Sequence, residues 1–172
     1  MRPIKFKAFL TRSPAGDSGW HYIEVEPKIA EKFAKTDKSR RVVCTINGTE
    51  TFQCALNPWG ENFVIIVNKA KRDRLGIVGG DKLTVELAAD ESKYGLPMPE
   101  ELEEVLNQDP DGDKLFHALT AGKQRSILYL IGKIKDIDRR IHSALILVEH
   151  LKRNNGKIVG DELYHELRRP IA

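Results

Sequence analysis

Gly76, Gly79 and Gly80 stand just before Asp81 in RLGIVGGDKLTV, residues 74–85, and glycines next to an acid are the raw material of a phosphate cradle. Such cradles place their glycines after a strand and at the start of a helix, where free N–H groups converge on the anion. Here the order is a helical stretch, then the glycines, then an alternating strand, and the spacing is not G-x-G-x-x-G. These glycines read as turn residues. DPDGDKLFHALT, residues 109–120, puts Asp109, Asp111 and Asp113 at the first, third and fifth places of a calcium loop. Lys114 and Thr120 then stand where that loop requires its glycine and its bidentate glutamate, and the Asp and Gly residues serve as turn and N-cap residues instead.

The remaining candidates for chemistry fail in the same way. AGKQ, residues 121–124, offers Gln124 where a P-loop needs Ser or Thr for magnesium, and His117 where it needs its first glycine. His21, His117, His142, His150 and His165 never fall four apart or in H-E-x-x-H, so no zinc site follows from spacing. Ser126 and Ser143 lack a G-x-S-x-G context. No cofactor or metal is expected, and the reading leans away from an enzyme; a site assembled only by the fold is the alternative.

Cations are the other raw material. Lys69, Lys71, Arg72 and Arg74 form one cluster, with Arg40 and Arg41 as a second patch, and Arg125, Lys133, Lys135, Arg139 and Arg140 form a third. Lys135 and Arg139 are i, i+4 neighbours expected to share a helix face. These residues are the candidate contacts for an anion or for nucleic acid. No aromatic residues are interleaved with them in sequence, which argues against single-stranded ligands, whereas weak duplex binding at low salt remains an expectation. The competing reading is a solvated surface in which Asp73, Asp136 and Asp138 offset the cations.

The elements that must position these side chains follow from composition and pattern. The chain has 172 residues, is 41% apolar and carries a formal charge of +3. Residues 1–89 hold 15 Lys and Arg against 10 Asp and Glu, and residues 90–172 hold 13 against 15. Neither a secretory leader nor a membrane span is apparent, so a cytoplasmic protein is expected. Alternation predicts strands at 4–10, 20–25, 41–46, 51–56, 63–67 and 82–87, with a short helix after Pro27. In the hairpin around Asn47-Gly48, Val42, Cys44 and Ile46 share parity with Phe52, Cys54 and Leu56, which requires a turn with an odd number of residues and a left-handed Gly48. Cys44 is expected opposite Glu50 or Thr51, so that no disulfide forms with Cys54.

WHYIEVEPKIAEKF (20–33) matches NFVIIVNKAKRDRL (62–75) at an offset of 42, aligning Ile23 with Ile65, Val25 with Val67 and Phe33 with Leu75. Each copy leads into a further strand. Two copies that cannot bury their apolar faces alone predict a pseudo-duplicated barrel of about six strands at 1–89. Residues 90–98 read as a linker, and residues 99–172 as a helical domain, giving an α+β chain. Its helix faces are Leu102, Val105 and Leu106; Leu115, Phe116 and Leu119; Ile127, Leu128, Ile131 and Ile134; and Ile141, Ala144, Leu145, Val148 and Leu151, the last ended by Asn154-Asn155-Gly156.

LGIVGGDKLTVEL resembles the signature of swapped-hairpin, double-split barrels of the AbrB and MazE kind. GWHYIEVEP, TINGTETF and GGDKLTVEL are more closely similar to the uncharacterised barrel domain found in front of bacteriocin-protection, YdeI/OmpD-associated proteins. LTAGKQRSILYLIGKIKDIDRRI resembles the helical domain of that family at Leu119, Gln124, Arg125, Tyr129, Ile131, Lys135 and Arg140. The family often has Ala where Ile134 stands and a further arginine where Ser143 stands. The resemblance implies a bacterial protein loosely linked to bacteriocin or antimicrobial-peptide resistance, and no reaction. The expectation is a non-enzymatic binding or stress-protection module for a protein or small-molecule ligand; a nucleic-acid-binding regulator with an AbrB-like barrel is the runner-up.

Overall fold

The computed structural model describes residues 1–14, 19–34 and 40–171. The chain divides into two compact units, Met1–Glu91 and Ser92–Ala172. The first contains β1 (Ile4–Phe9), β2 (Thr11–Arg12), β3 (His21–Val25), α1 (Pro27–Phe33), β4 (Arg41–Ile46), β5 (Glu50–Ala55), β6 (Asn57–Trp59), β7 (Asn62–Ile66), α2 (Lys69–Leu75) and β8 (Lys82–Ala89). The six expected strands are present, and β2 and β6 are added.

The strands form two antiparallel four-stranded sheets, ordered β1-β8-β4-β5 and β2-β3-β7-β6, and not one closed barrel. The chain steps from one sheet to the other at Leu10 and again at Leu56, both buried, with their N–H groups donated to the carbonyls of Asp81 and Arg40. These bonds extend the β1-β8 and β4-β5 ladders by one residue before the chain crosses to the other sheet. The register is unchanged when the two halves are exchanged. Ile23 pairs with Ile65, and the flanking pairs Tyr22–Ile66 and Glu24–Val64 map onto each other at the offset of 42. Thr45 opposite Glu86 plays the same part in β4 and β8. The duplication also reaches the opening strands, since Phe6 faces Val85 as Phe52 faces Cys44, and Thr11 faces Tyr22 as Asn57 faces Val64.

The hairpin has Ile46 opposite Glu50, so Asn47, Gly48 and Thr49 make a three-residue turn, with Asn47 and Gly48 both left-handed at φ 51° and 68°. Cys44 therefore faces Phe52, not Glu50 or Thr51, and Cys54 faces Val42. Both thiols are free, and burial pushes that of Cys54 up to about 12 and that of Cys44 higher. Around Gly79-Gly80-Asp81, the Gly80 N–H goes to the Leu10 carbonyl and the Asp81 carboxylate accepts from the Val78 N–H, as a turn into β8 requires.

The second unit contains α3 (Glu100–Gln108), α4 (Pro110–His117), α5 (Ala121–Gly132), α6 (Ile137–Arg153) and α7 (Gly160–Leu167). Its core holds Leu102, Leu106, Phe116, Ile127, Leu128, Ile131, Ala144, Leu147, Val148 and Leu151, against which Tyr94, Leu96 and Met98 also pack. Ile141 and Leu145, expected on the buried face of α6, are exposed, because Ala144, Leu147, Val148 and Leu151 already supply a complete stripe. α5 ends at Gly132, before Ile134. No helix among the described residues is long and apolar enough to cross a membrane.

Two glycines in this unit sit in opposite surroundings. A Cβ on Gly112 of α4 would press into the Val148 side chain of α6, whereas one on Gly122 of α5 meets nothing within 4 Å. Gly112→Ala is expected to destabilise the helical unit by about 1–3 kcal/mol through overpacking. Gly122→Ala should stabilise it by about 0.5–1 kcal/mol. Urea unfolding followed by far-UV circular dichroism measures both, since the two tryptophans lie in the other unit.

Candidate functional site

The structure gives most of the candidate cations a partner within their own unit. Lys69 pairs with Asp73 at 2.7 Å, one turn along α2. Arg74 grips Glu50 through Nε and Nη2, at 3.1 and 2.6 Å to Oε1, and this guanidinium holds the Glu50 carboxyl below its ordinary pKa. Arg72 donates to the Val67 carbonyl at 2.7 Å, tying α2 to the end of β7. Lys71 lies 4.6 Å over the Phe52 ring, and Arg40 4.7 Å over that of Phe63 while also pairing with Glu31. Arg41 opens β4, half-buried. These two rings come from strands distant in sequence, but in the third cluster Tyr129 does lie between Arg125 and Lys133 along the chain, so the expectation that no aromatic residue is interleaved with the cations is wrong there.

In the helical unit, Arg139 donates to the carbonyls of Leu167 and Arg169, both at 2.8 Å, and so caps the end of α7. Arg140 pairs with Glu101 at 2.9 Å and donates to the Ile134 carbonyl. Lys135 and Arg139 do not share a helix face, because Asp136 is the N-cap of α6 and leaves Lys135 in the preceding connection. Gln124 donates to the carbonyls of Phe116, His117 and Leu119 and thereby closes the end of α4. Asp109 is the N-cap of α4, accepting from the Gly112 N–H and from Lys152. These two partners hold its carboxyl below the ordinary value, and the would-be calcium loop is a helix start.

What remains is one face of α5. Arg125, Tyr129 and Lys133 follow each other at four-residue spacing, so they stack along one side of the helix. Among the described residues, neither Arg125 nor Lys133 is held in an ion pair. Tyr129 is 63% exposed, and the Lys133 ammonium sits 5.5 Å from its ring centroid. Beside this stripe runs a cleft of about 300 Å³ lined by Leu96, Pro97, Leu128, Tyr129, Gly132 and Lys133. It adjoins a second cleft of about 300 Å³, which shares Pro97 and Gly132 and is bordered by Glu101 and Arg140. The first offers an apolar floor with the Lys133 ammonium at its edge, suited to a ligand with both apolar and anionic groups.

Three potential metal ligands also meet. His150, Glu162 and Glu166 bring ligand atoms within 4.8 Å of one another, across α6 and α7. None of their spacings matches a sequence motif, so the cluster was not legible there. Its chemistry does not fit an ion. The Val159 N–H donates to Nε2 of His150 at 3.0 Å, so the neutral ring keeps its proton on Nδ1, facing the Glu166 carboxylate at 3.4 Å. The Arg153 guanidinium contacts both Glu162 and Glu166 and already supplies the cation. The cluster is a clasp between helices.

Burial pushes the Glu166 carboxyl up, but hydrogen bonds from Arg153 and His150 outweigh it, and its net pKa lies below the ordinary 4.5. A depressed folded-state pKa stabilises the fold above the unfolded value, and that contribution is lost as pH falls through the folded one. Glu166→Gln is expected to cost about 1–3 kcal/mol at neutral pH. The gap from the unmodified protein should narrow as pH drops below 4.5, which unfolding curves at pH 7 and in acid would check.

Comparison with known families divides the chain as its contacts do. The family model for a domain of unknown function (DUF1905) matches residues 6–87. That for the bacteriocin-protection, YdeI or OmpD-associated family matches residues 96–154, which span the α5 stripe. No curated protein matched the chain. The chain thus carries a match to the DUF1905 model followed by a match to the model of the bacteriocin-protection, YdeI or OmpD-associated family.

Proposed function

We infer that the chain is a non-enzymatic, cytoplasmic binding module whose helical domain takes acidic, partly apolar peptide segments along α5. The observation that carries this reading is the Arg125–Tyr129–Lys133 stripe beside the Leu96–Pro97–Leu128 cleft. Cations committed to internal partners have little to offer a ligand, whereas these two stand beside an exposed ring. An acidic side chain pairs with either cation, and an apolar neighbour enters the cleft. The protective role in the family description of this half supports capture over catalysis. The exchange symmetry of the strand register supports assigning the front domain to AbrB-like double-split barrels. Nucleic-acid binding does not come with that assignment, because Lys69, Arg72 and Arg74 are spent on internal contacts.

A synthetic peptide alternating Glu and Leu, titrated into the full chain and followed by amide NMR shifts, tests the reading. Shifts are expected at Leu96, Tyr129 and Lys133. Arg125→Glu with Lys133→Glu should weaken binding by about tenfold or more, as charge reversal beside an anion does. A DNA duplex should bind weakly and only at low salt. Absence of peptide shifts would overturn the proposal, and submicromolar duplex binding near physiological salt would favour a regulator instead.

A further inference from the structure

Alternation along the strands of the second sheet defines an outer face, turned away from the core of the first unit. The register places Thr11, Tyr22, Glu24, Asn57, Trp59, Asn62, Val64 and Ile66 on it, and Trp20 extends it. The outer face of the other sheet presents Lys5, Lys7 and Lys82 with Glu86, an ordinary solvated surface. By contrast, no lysine or arginine of β2, β3, β6 or β7 lies on the aromatic face, and Glu24 is the one charged residue that these strands place there among the described residues. Its strands carry one carboxylate and no cation on this face, in a half-chain with an excess of cations.

Its centre is a packed aromatic cluster. The Trp20 ring packs edge-on against Trp59, with centroids 4.9 Å apart, and lies 5.0 Å from Tyr22. Tyr22 is buried by this packing, while Trp59 and Ile66 stay half exposed. The polar groups around the rings are uncharged amides and a hydroxyl, with Glu24, whose carboxylate accepts from the Asn62 amide at 3.4 Å. Asn62 also stands opposite Trp59 in the register, so an amide, a carboxylate and an indole lie side by side.

We propose that this face is a binding site for a neutral oligosaccharide. A sugar ring has one C–H face, which stacks on the electron-rich face of an indole, and a rim of hydroxyls that both donate and accept. Asn57 and Asn62 supply donors and acceptors, and Glu24 supplies acceptors only. The charge pattern selects the ligand class. With no cation on the face, nucleic acid, phosphates and acidic peptides gain nothing there. One carboxylate already shared with an amide is too little for a polycation. The occupant that matches an aromatic centre with a neutral hydrogen-bonding rim is a polyhydroxylated, uncharged one. The site is built from residues of the first unit alone and does not rest on the reading of α5.

Titrating the full chain with cellohexaose, maltohexaose and chitohexaose, while following the two tryptophan indole N–H resonances, tests the assignment. At least one of the three is expected to shift the Trp59 indole signal at millimolar concentration. Trp59→Ala should abolish the response of the remaining Trp20 indole signal, and Asn62→Ala, which leaves the aromatic packing intact, should weaken the response of both indole signals by about tenfold. Arg125→Glu with Lys133→Glu should leave it unchanged. Unmoved indole signals with all three sugars, or a response that survives both Trp59→Ala and Asn62→Ala, would overturn the proposal. So would displacement of the sugar by a lysine-rich peptide, which would mark the face as one for cations.

Discussion

Each half of the front unit exposes apolar strands that it cannot cover alone, and the antiparallel pairing of Ile23 with Ile65 is where one half covers the other. Both side chains are fully buried, and so are Val25 and Val67 beside them. Because strand side chains alternate, a slip of one residue in this pairing would turn every buried position of β3 or β7 to solvent. The same constraint runs through Thr45 and Glu86 in the other sheet, and through Leu10 and Leu56, where the chain changes sheets. Which residues form each outer surface is thereby decided in the core. The aromatic face and the lysine-bearing face are both consequences of that one register.

In the helical unit, charge is the structural material. Arg139 caps α7, Arg140 ties α6 to α3 through Glu101, and Arg153 joins α6 to Glu162 and Glu166 of α7. Helix ends leave carbonyl groups without intrahelical partners, and long guanidinium side chains reach them from a neighbouring helix. A short domain with a small core gains from such ties. They also explain why net charge says little about its surface. Of five candidate cations here, two are consumed by packing, one lies in a connection, and only Arg125 and Lys133 flank an exposed ring on one helix face.

The fold was legible in the sequence wherever periodicity carried it. All six long strands, the three-residue hairpin turn and the course of α3 to α6 follow from apolar spacing and from glycine and asparagine positions. β2 and β6 were not, since two or three residues carry no period, and α7 follows a turn with little apolar pattern before it. Two separate sheets were read as one barrel because alternation reports which side of a strand is buried and not which ladder it joins. The candidate site was only half legible. Arg125 and Lys133 could be named, but Tyr129 gains its role by standing between them beside Leu96 and Pro97, which come from another segment. The clasp of His150, Arg153 and Glu166 was invisible because its spacing belongs to two helices meeting, not to a motif.

The internal duplication makes a comparison that the chain carries within itself. Positions facing the core keep their character between the halves: Phe6 corresponds to Phe52, Leu10 to Leu56, Ile23 to Ile65 and Val25 to Val67. Positions on the outer face of the second sheet do not. Trp20 corresponds to Asn62, Tyr22 to Val64, Glu24 to Ile66, and Trp59 falls where the first half has Ser13. Packing restrains the first group, because an interior at crystal-like density penalises even a small change of volume. The second group is less restrained: Tyr22 and Val64 are buried, but Glu24, Trp59 and Ile66 meet water, and a solvated sheet face is served equally well by Thr, Lys or Gln, as the other sheet demonstrates. A symmetric scaffold whose two copies differ on one face places its aromatic residues from both halves together on that face. Large aromatic side chains held half in water gain little for the fold, so their convergence there is a property of the surface and not of the core.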